Sequence, residues 1–184
     1  LKAVHGQRDY RVEDFDQLSG PHLIKVAVQE NGDVQLAAAP EKIVMMPIHR
    51  YVVPLLIKSE RSTPGMLQVQ VATRSYELPL PPQSVRGYCV NLRADQVGTS
   101  LTKIAVKFGE QQKEAPLTLD VRPAATLKVR LTDPGNEPAT ARVYLFGSDG
   151  LAHSPNGGLA RMTLGGEYFF YAAREFEVVL PEGA

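Results

Sequence analysis

The chain has 184 residues, of which 43% are hydrophobic and 22% are charged, and its 20 basic residues balance its 20 acidic residues. This is the composition of an ordinary globular protein with enough apolar surface for a core. The zero net charge and the lack of a basic stripe interleaved with aromatic residues exclude nucleic acid as an expected partner. The longest apolar stretch, Ile43 to Ile57, carries two prolines and is shorter than the roughly 20 residues of a membrane span, so it predicts a buried sheet and no membrane span.

The first 21 residues mix acidic, basic and aromatic side chains without a steady period. We expect residues 1–21 to form an extended arm that adds an edge strand or lies on a neighbour. The chain opens on Leu1 and closes on a Leu-Pro-Glu-Gly-Ala segment, from which we expect a mature or excised fragment of a longer protein.

Period-two alternation follows almost everywhere, and it predicts an all-β fold. The apolar run Leu23 to Val28 precedes an Asn-Gly-Asp turn at 31–33, which predicts a strand entering a hairpin. Further strands are predicted at Met66 to Ala72, Val85 to Arg93, Leu101 to Phe108 and Leu117 to Val121. The single cysteine, Cys89, excludes an internal disulfide and is expected to be a small buried hydrophobe.

A break at Arg122-Pro123-Ala124-Ala125 separates two alternating runs, and it predicts a domain boundary. We therefore predict two tandem β-sandwich domains, at residues 22–122 and 123–184. A linker of about four residues leaves the two domains little relative freedom.

The second unit has the sharper pattern. A strand is predicted at Thr126 to Thr132, followed by a Pro- and Gly-containing turn at 133–138, a strand at Ala141 to Phe146 and the turn Gly147-Ser148-Asp149-Gly150. Three apolar stripes are predicted to close a small core. They are Leu127, Val129 and Leu131; Val143 and Leu145; and Phe176, Val178 and Leu180.

This order of motifs, ending in Phe-Glu-Val-x-Leu-Pro-x-Gly at 176–183, resembles the carboxypeptidase-regulatory-like, or transthyretin-like, domains. It is most similar to the version that precedes the catalytic domain in carbaryl-hydrolase-like members of the polymerase-and-histidinol-phosphatase (PHP) metallohydrolases. The resemblance covers about a third of the chain and lacks the family's closing strand after Gly183. It implies an accessory role, because the metal ligands of that family belong to a separate downstream domain. Residues 22–122 resemble generic immunoglobulin-like bacterial sandwiches.

The resemblance implies a non-catalytic region of an exported bacterial protein that positions or supports a metallohydrolase domain. Its neighbouring domain is then its first partner, and the expected compartment is periplasmic or extracellular. The alternative is a stand-alone glycan- or protein-binding adhesion module. In both cases we expect no enzyme activity, no cofactor and no bound metal in this chain.

The histidines His5, His22, His49 and His153 lack any metal-binding spacing. His49 is expected to be packed and His153 solvated. Ser148 lies outside any nucleophile-elbow motif, and a hairpin cap is the favoured interpretation of Ser148 and Asp149. Asp149, with Asp133 or Asn136, could offer loop oxygens to calcium, but these residues lack the acidic density of a calcium loop.

One aromatic run invites a binding interpretation, and it comprises Tyr168, Phe169, Phe170 and Tyr171. Alternation places Phe169 and Tyr171 opposite Tyr168 and Phe170, so one pair enters the core and the other faces solvent or a neighbouring domain. The chain has no tryptophan, which favours contact with a domain over sugar stacking. These four residues are the predicted interaction surface.

Overall fold

The structure, a computed structural model, describes residues 8–48, 50–147, 151–155, 161–162 and 168–183. The prediction of an all-β fold is confirmed. The strands are β1 (Arg8–Tyr10), β2 (Ile24–Val28), β3 (Val34–Ala38), β4 (Lys42–Met45), β5 (Tyr51–Ser59), β6 (Gly65–Val71), β7 (Arg74–Leu80), β8 (Ser84–Leu92), β9 (Gly98–Phe108), β10 (Gln111–Val121), β11 (Ala124–Arg130), β12 (Thr140–Val143), β13 (Arg161–Met162), β14 (Tyr168–Ala173) and β15 (Glu175–Pro181). A short helix, α1 (Asp14–Gln17), follows β1. No helix among the described residues is long and apolar enough to cross a membrane.

Strands β1 to β10 form two five-stranded sheets. Sheet I has the order β1-β8-β5-β2-β3, and sheet II has the order β4-β10-β9-β6-β7. Neighbouring strands are antiparallel except for the parallel pairs β2 with β5 and β10 with β4. The chain crosses from one sheet to the other after β3, β4, β5, β7 and β8. Each sheet is therefore assembled from distant stretches of sequence.

Alternate side chains of both sheets share one hydrophobic core. Residues such as Ile24, Leu55, Leu67 and Ile104 are at most 1% exposed, and all belong to the same cluster of buried side chains. Full burial of each such side chain contributes about 1.5 to 3 kcal/mol. The two sheets thus pack face to face, which is the arrangement that the alternation predicts.

Two tyrosines join the sheets along one side of this core. The Tyr76 hydroxyl of β7 donates to the Asn91 carbonyl of β8 over 3.0 Å and accepts from the Asn91 N–H over 3.2 Å. The Tyr88 hydroxyl of β8 donates to the Pro79 carbonyl of β7 over 2.8 Å. These bonds satisfy two buried hydroxyl groups and connect edge strand β7 of sheet II to sheet I.

The N-terminal arm does add an edge strand, because β1 pairs antiparallel with β8. Helix α1 was not predicted, since four residues are too few to show a helical period. Its Phe15 is 4% exposed and packs on the outer face of sheet I against Leu56 and Val85. The Lys25 ammonium lies 4.9 Å from the centre of the Phe15 ring. The arm therefore covers part of sheet I.

The last five strands form two smaller sheets, β11-β15 and β12-β14-β13. An edge-to-face contact between Phe170 and Phe176, with ring centres 5.1 Å apart, links them. In the described part of the chain these strands pair only with one another. The domain limits 22–122 and 123–184 remain predictions.

Several predicted details differ from the structure. Strand β7 was not predicted, and the linker shortens to Arg122 and Pro123 because β11 begins at Ala124. Leu127 was predicted to lie in the core but is 37% exposed, since β11 pairs with β15 alone and has no neighbour on its other edge among the described residues. The turn predicted at 147–150 lies mostly outside the described residues.

Docking of the arm predicts a severe effect for Gly87→Ala. A Cβ atom at Gly87 would lie 2.5 Å from Cε2 of Tyr10, so the ring and β1 must move. We expect a loss of about 1 to 3 kcal/mol in the free energy of unfolding, measured by urea denaturation. Gly20→Ala is the matched control, because its Cβ would approach only the Leu23 Cβ atom, at 3.8 Å. If Gly87→Ala costs as much in a Tyr10→Ala background, the proposed clash is not the cause.

Candidate functional site

The predicted aromatic run lies on β14, where pairing with β12 fixes which side chains face outwards. Phe170 lies opposite Val143, and Tyr171 lies opposite Arg142. Phe170 is 2% exposed and contacts Phe176, so it belongs to the core and is removed from the predicted interaction surface. Tyr168 is 51% exposed and Tyr171 is 62% exposed.

An aromatic patch occupies the outer face of β12 and β14, and we define it as Arg142, Tyr144, Phe169 and Tyr171. The Arg142 guanidinium lies 3.9 Å from the centre of the Phe169 ring and 5.1 Å from that of Tyr144. Phe169 meets Tyr171 edge to face at 5.6 Å and lies 5.9 Å from Tyr144. The patch is one connected set of rings with a cation stacked on it.

Two tyrosine rings of the patch are exposed to solvent, and so is a neighbouring phenylalanine ring. Tyr144 is 42% exposed, and the adjacent Phe146 is 56% exposed. No hydrogen bond or ion pair joins Arg142 to any other described residue. Exposed tyrosine and arginine side chains in one cluster are typical of binding hot spots.

Sequence reasoning missed Arg142 and Tyr144 as members of this patch. Both alternate outwards with Val143 between them, which is a local signal for one shared face. Their position beside Phe169 and Tyr171 depends on the register of β12 against β14. Alternation within one strand does not specify that register.

A second polar feature, the Arg122 junction, lies where β10 leads into β11. We define it as Lys42, Asp120, Arg122 and the carbonyl groups of Glu182 and Gly183. The Asp120 carboxylate contacts the Lys42 ammonium at 2.7 Å and Nη2 of Arg122 at 2.9 Å. Nη1 of Arg122 donates to the Glu182 carbonyl over 3.1 Å and to the Gly183 carbonyl over 3.3 Å. One guanidinium thus connects the end of sheet II to the chain beyond β15.

The backbone reinforces this junction. The Arg122 N–H donates to the Met45 carbonyl over 2.9 Å, and the Glu182 N–H donates to the Pro123 carbonyl over 2.8 Å. The hydrogen bond from Lys42, followed by that from Arg122, holds the pKa of the Asp120 carboxyl below its usual value. The contacts that lower the pKa of Asp120 form only in the folded chain, so the charged carboxylate stabilises the fold.

The remaining predicted residues form no chemical site among the described residues. His22 is buried and shares a hydrogen bond between its Nδ1 and the Tyr51 hydroxyl. His153 is half-buried, which corrects the expectation that it is solvated. His5 and His49 lie outside the described residues. Within the described chain, no group of three or more His, Cys, Asp or Glu side chains could hold a metal ion.

Asp133 has a structural role in its own turn. Its Oδ1 accepts hydrogen bonds from the N–H groups of Gly135 and Glu137, each over 2.9 Å, so the carboxylate caps its own turn. Ser148 and Asp149 lie outside the described residues. Cys89, expected to be a small buried hydrophobe, is half-buried.

Comparisons of the chain with protein-family models and with curated proteins find no match. The resemblance to carboxypeptidase-regulatory-like domains therefore stays a prediction that rests on the motifs quoted above.

Truncating a side chain on one face of β14 should destabilise the fold far more than truncating one on the other face. Phe170→Ala should lower the free energy of unfolding by about 3 to 5 kcal/mol, because it removes a buried aromatic ring. Tyr171→Ala, on the neighbouring position, should change it by less than about 0.5 kcal/mol. Urea denaturation measures both. Equal costs for the two variants would show that β14 does not present these faces as described.

The Arg122 junction predicts a dependence of stability on pH. Asp120 has a lower pKa in the folded chain than in the unfolded chain, so its contribution is present above about pH 4 and is lost as the pH falls through the folded value. Asp120→Asn should lower the free energy of unfolding by about 1 kcal/mol at pH 7 and by less at pH 2.5. The control is Asp95→Asn, which removes a carboxylate that is 79% exposed. A loss for Asp120→Asn that is the same at both pH values would contradict this assignment.

Proposed function

We propose that this chain is a non-catalytic β-sandwich region of an exported bacterial protein, periplasmic or extracellular, that positions or supports a metallohydrolase domain of the same polypeptide. The observation that carries the proposal is the Arg122 junction. A supporting region must hold what it carries in a defined orientation, and the junction restrains the step from β10 into β11. The resemblance of residues 123–184 to accessory domains of metallohydrolases supports the same role.

The junction restrains the chain in two ways. Only Arg122 and Pro123 separate β10 from β11, and a proline has little backbone freedom. The Arg122 side chain then joins Asp120 on one side to the carbonyl groups of Glu182 and Gly183 on the other. Because the guanidinium is planar and has several fixed donors, it restrains orientation as well as distance.

Distance measurements between spin labels test the restraint. Lys113→Cys and Lys128→Cys, in a Cys89→Ser background, place labels on exposed positions of β10 and β11. We expect one narrow distance distribution with the junction intact and a broader one after Arg122→Ala. The control is Arg130→Ala, on β11 but outside the junction. Equal distributions for Arg122→Ala and Arg130→Ala would remove the basis of the positioning role.

The functional role is tested in the parent polypeptide. We expect the reading frame to continue past the Ala184 codon into a domain with a His-x-His pair and further His and Asp ligands. In that protein, Arg122→Ala should lower hydrolase activity or the thermal stability of the catalytic domain, without loss of metal from purified enzyme. A stop codon within about one strand length, or an unaffected catalytic domain, would contradict the supporting role.

A second candidate, a glycan- or protein-binding adhesion module, is favoured by the aromatic patch. Exposed tyrosines on a sheet can stack against sugars or seat a protein surface. Binding of the wild-type chain to a glycan panel, compared with Tyr171→Ala, tests the sugar alternative. Retained binding in that variant would exclude the patch as the sugar site.

A further inference from the structure

The aromatic patch combines exposed apolar area with one cation that has no acidic partner among the residues that the structure describes. Tyr144 and Tyr171 are 42% and 62% exposed, and the Arg142 guanidinium lies over the rings of Phe169 and Tyr144. In the described part of the chain no carboxylate pairs with this guanidinium. On the adjacent sheet, by contrast, the Lys128 ammonium contacts a Glu177 carboxylate at 2.8 Å.

Stacking prepares Arg142 for binding. A guanidinium held over the Phe169 ring, 3.9 Å from its centre, has lost part of its side-chain freedom before a ligand arrives. Its N–H donors lie in the plane of the guanidinium and can bind both oxygens of a carboxylate. The surrounding rings would exclude water from such a pair and strengthen it.

The chemistry of the patch selects among classes of partner. A phosphate-rich polymer would require several cations, whereas the patch has one. A neutral sugar would cover the rings but would leave the guanidinium without a counter-charge as water is displaced. A polypeptide that presents an Asp, Glu or terminal carboxylate beside apolar side chains matches both the charge and the rings.

We infer that the patch of Arg142, Tyr144, Phe169 and Tyr171 docks a polypeptide surface in which one carboxylate is flanked by apolar side chains. This inference rests on the protein-contact role proposed above and names the chemistry of the partner. Arg142 binds the carboxylate, and the three rings contact the apolar groups around it.

A pair of small probes tests the inference on the intact chain. The probes are 3-phenylpropionate and its uncharged isostere 3-phenylpropanamide, titrated into isotopically labelled protein and followed by NMR. We expect shifts at the Arg142 Nε–H and at the rings of Phe169 and Tyr171, with the acid binding about fivefold more tightly than the amide. Affinities in the millimolar range are expected for ligands of this size.

Variants of the cation assign the effect. Arg142→Gln should abolish the preference for the acid over the amide, while Arg142→Lys, which keeps the charge but not the planar guanidinium, should retain part of it. The matched control, Arg130→Gln, should keep the full preference. Unchanged backbone N–H signals away from the patch show that each variant is folded.

Three results would overturn the inference: equal binding of acid and amide to the wild-type chain, no binding of either, or an acid preference that persists in Arg142→Gln. Shifts at the patch with a neutral oligosaccharide such as maltotriose, and none with the acid, would also overturn it in favour of a sugar site. The spin-label distances across the Arg122 junction are measured independently of these titrations. Failure of the docking inference is therefore distinguishable from failure of the supporting role.

Discussion

Burial of alternate side chains between sheet I and sheet II is the interaction on which the other features depend. It holds β10 in place through Leu117 and Val121, which are at most 4% exposed. The end of β10 then sets where Asp120 and Arg122 lie, and Arg122 holds the chain that follows β15. Through the contact of Phe176 with Phe170, β15 in turn positions β14 and the patch on its outer face. The path from the large core to the patch is therefore a continuous series of packed and hydrogen-bonded groups.

The large sandwich and the C-terminal strands differ in how much of their stability comes from buried side chains and how much from polar contacts. Sheets I and II share a core to which nearly every one of their strands contributes side chains. The C-terminal strands bury fewer, chiefly Phe170, Val178 and Leu180, and β11 is largely exposed. Small sheets with few buried residues depend more on individual polar contacts, because each hydrogen bond is a larger fraction of their net stability. The Arg122 junction supplies polar contacts of this kind beside the smaller sheets.

Period-two alternation predicted most strands of the large sandwich, because burial on one face requires it. It missed β7, although Tyr76, Leu78 and Leu80 alternate there with exposed residues. Pro79 takes one of the exposed positions, and a proline is tolerated there because β7 is an edge strand, which only the sheet order reveals. For the candidate site, alternation separated Phe169 and Tyr171 from Phe170 but did not say which pair faces inwards. Alternation also did not predict the contact between Arg142 and Phe169, because that contact depends on the register between two strands. The sequence thus predicts faces within strands, whereas cross-strand constellations require the fold.

The proposed supporting role and the proposed docking patch place the same physical demand on the chain. A surface built on strands is held more precisely than one built on a loop, since backbone hydrogen bonds fix each Cα position. Here Phe170 is buried beneath the sheet and Tyr171 projects from the opposite face of the same strand, so the core contact orients the exposed ring. A partner that binds the patch therefore meets side chains that are already ordered, and it loses less entropy in binding them. The rigidity that the proposed supporting role requires is thus the same rigidity that the proposed docking patch requires.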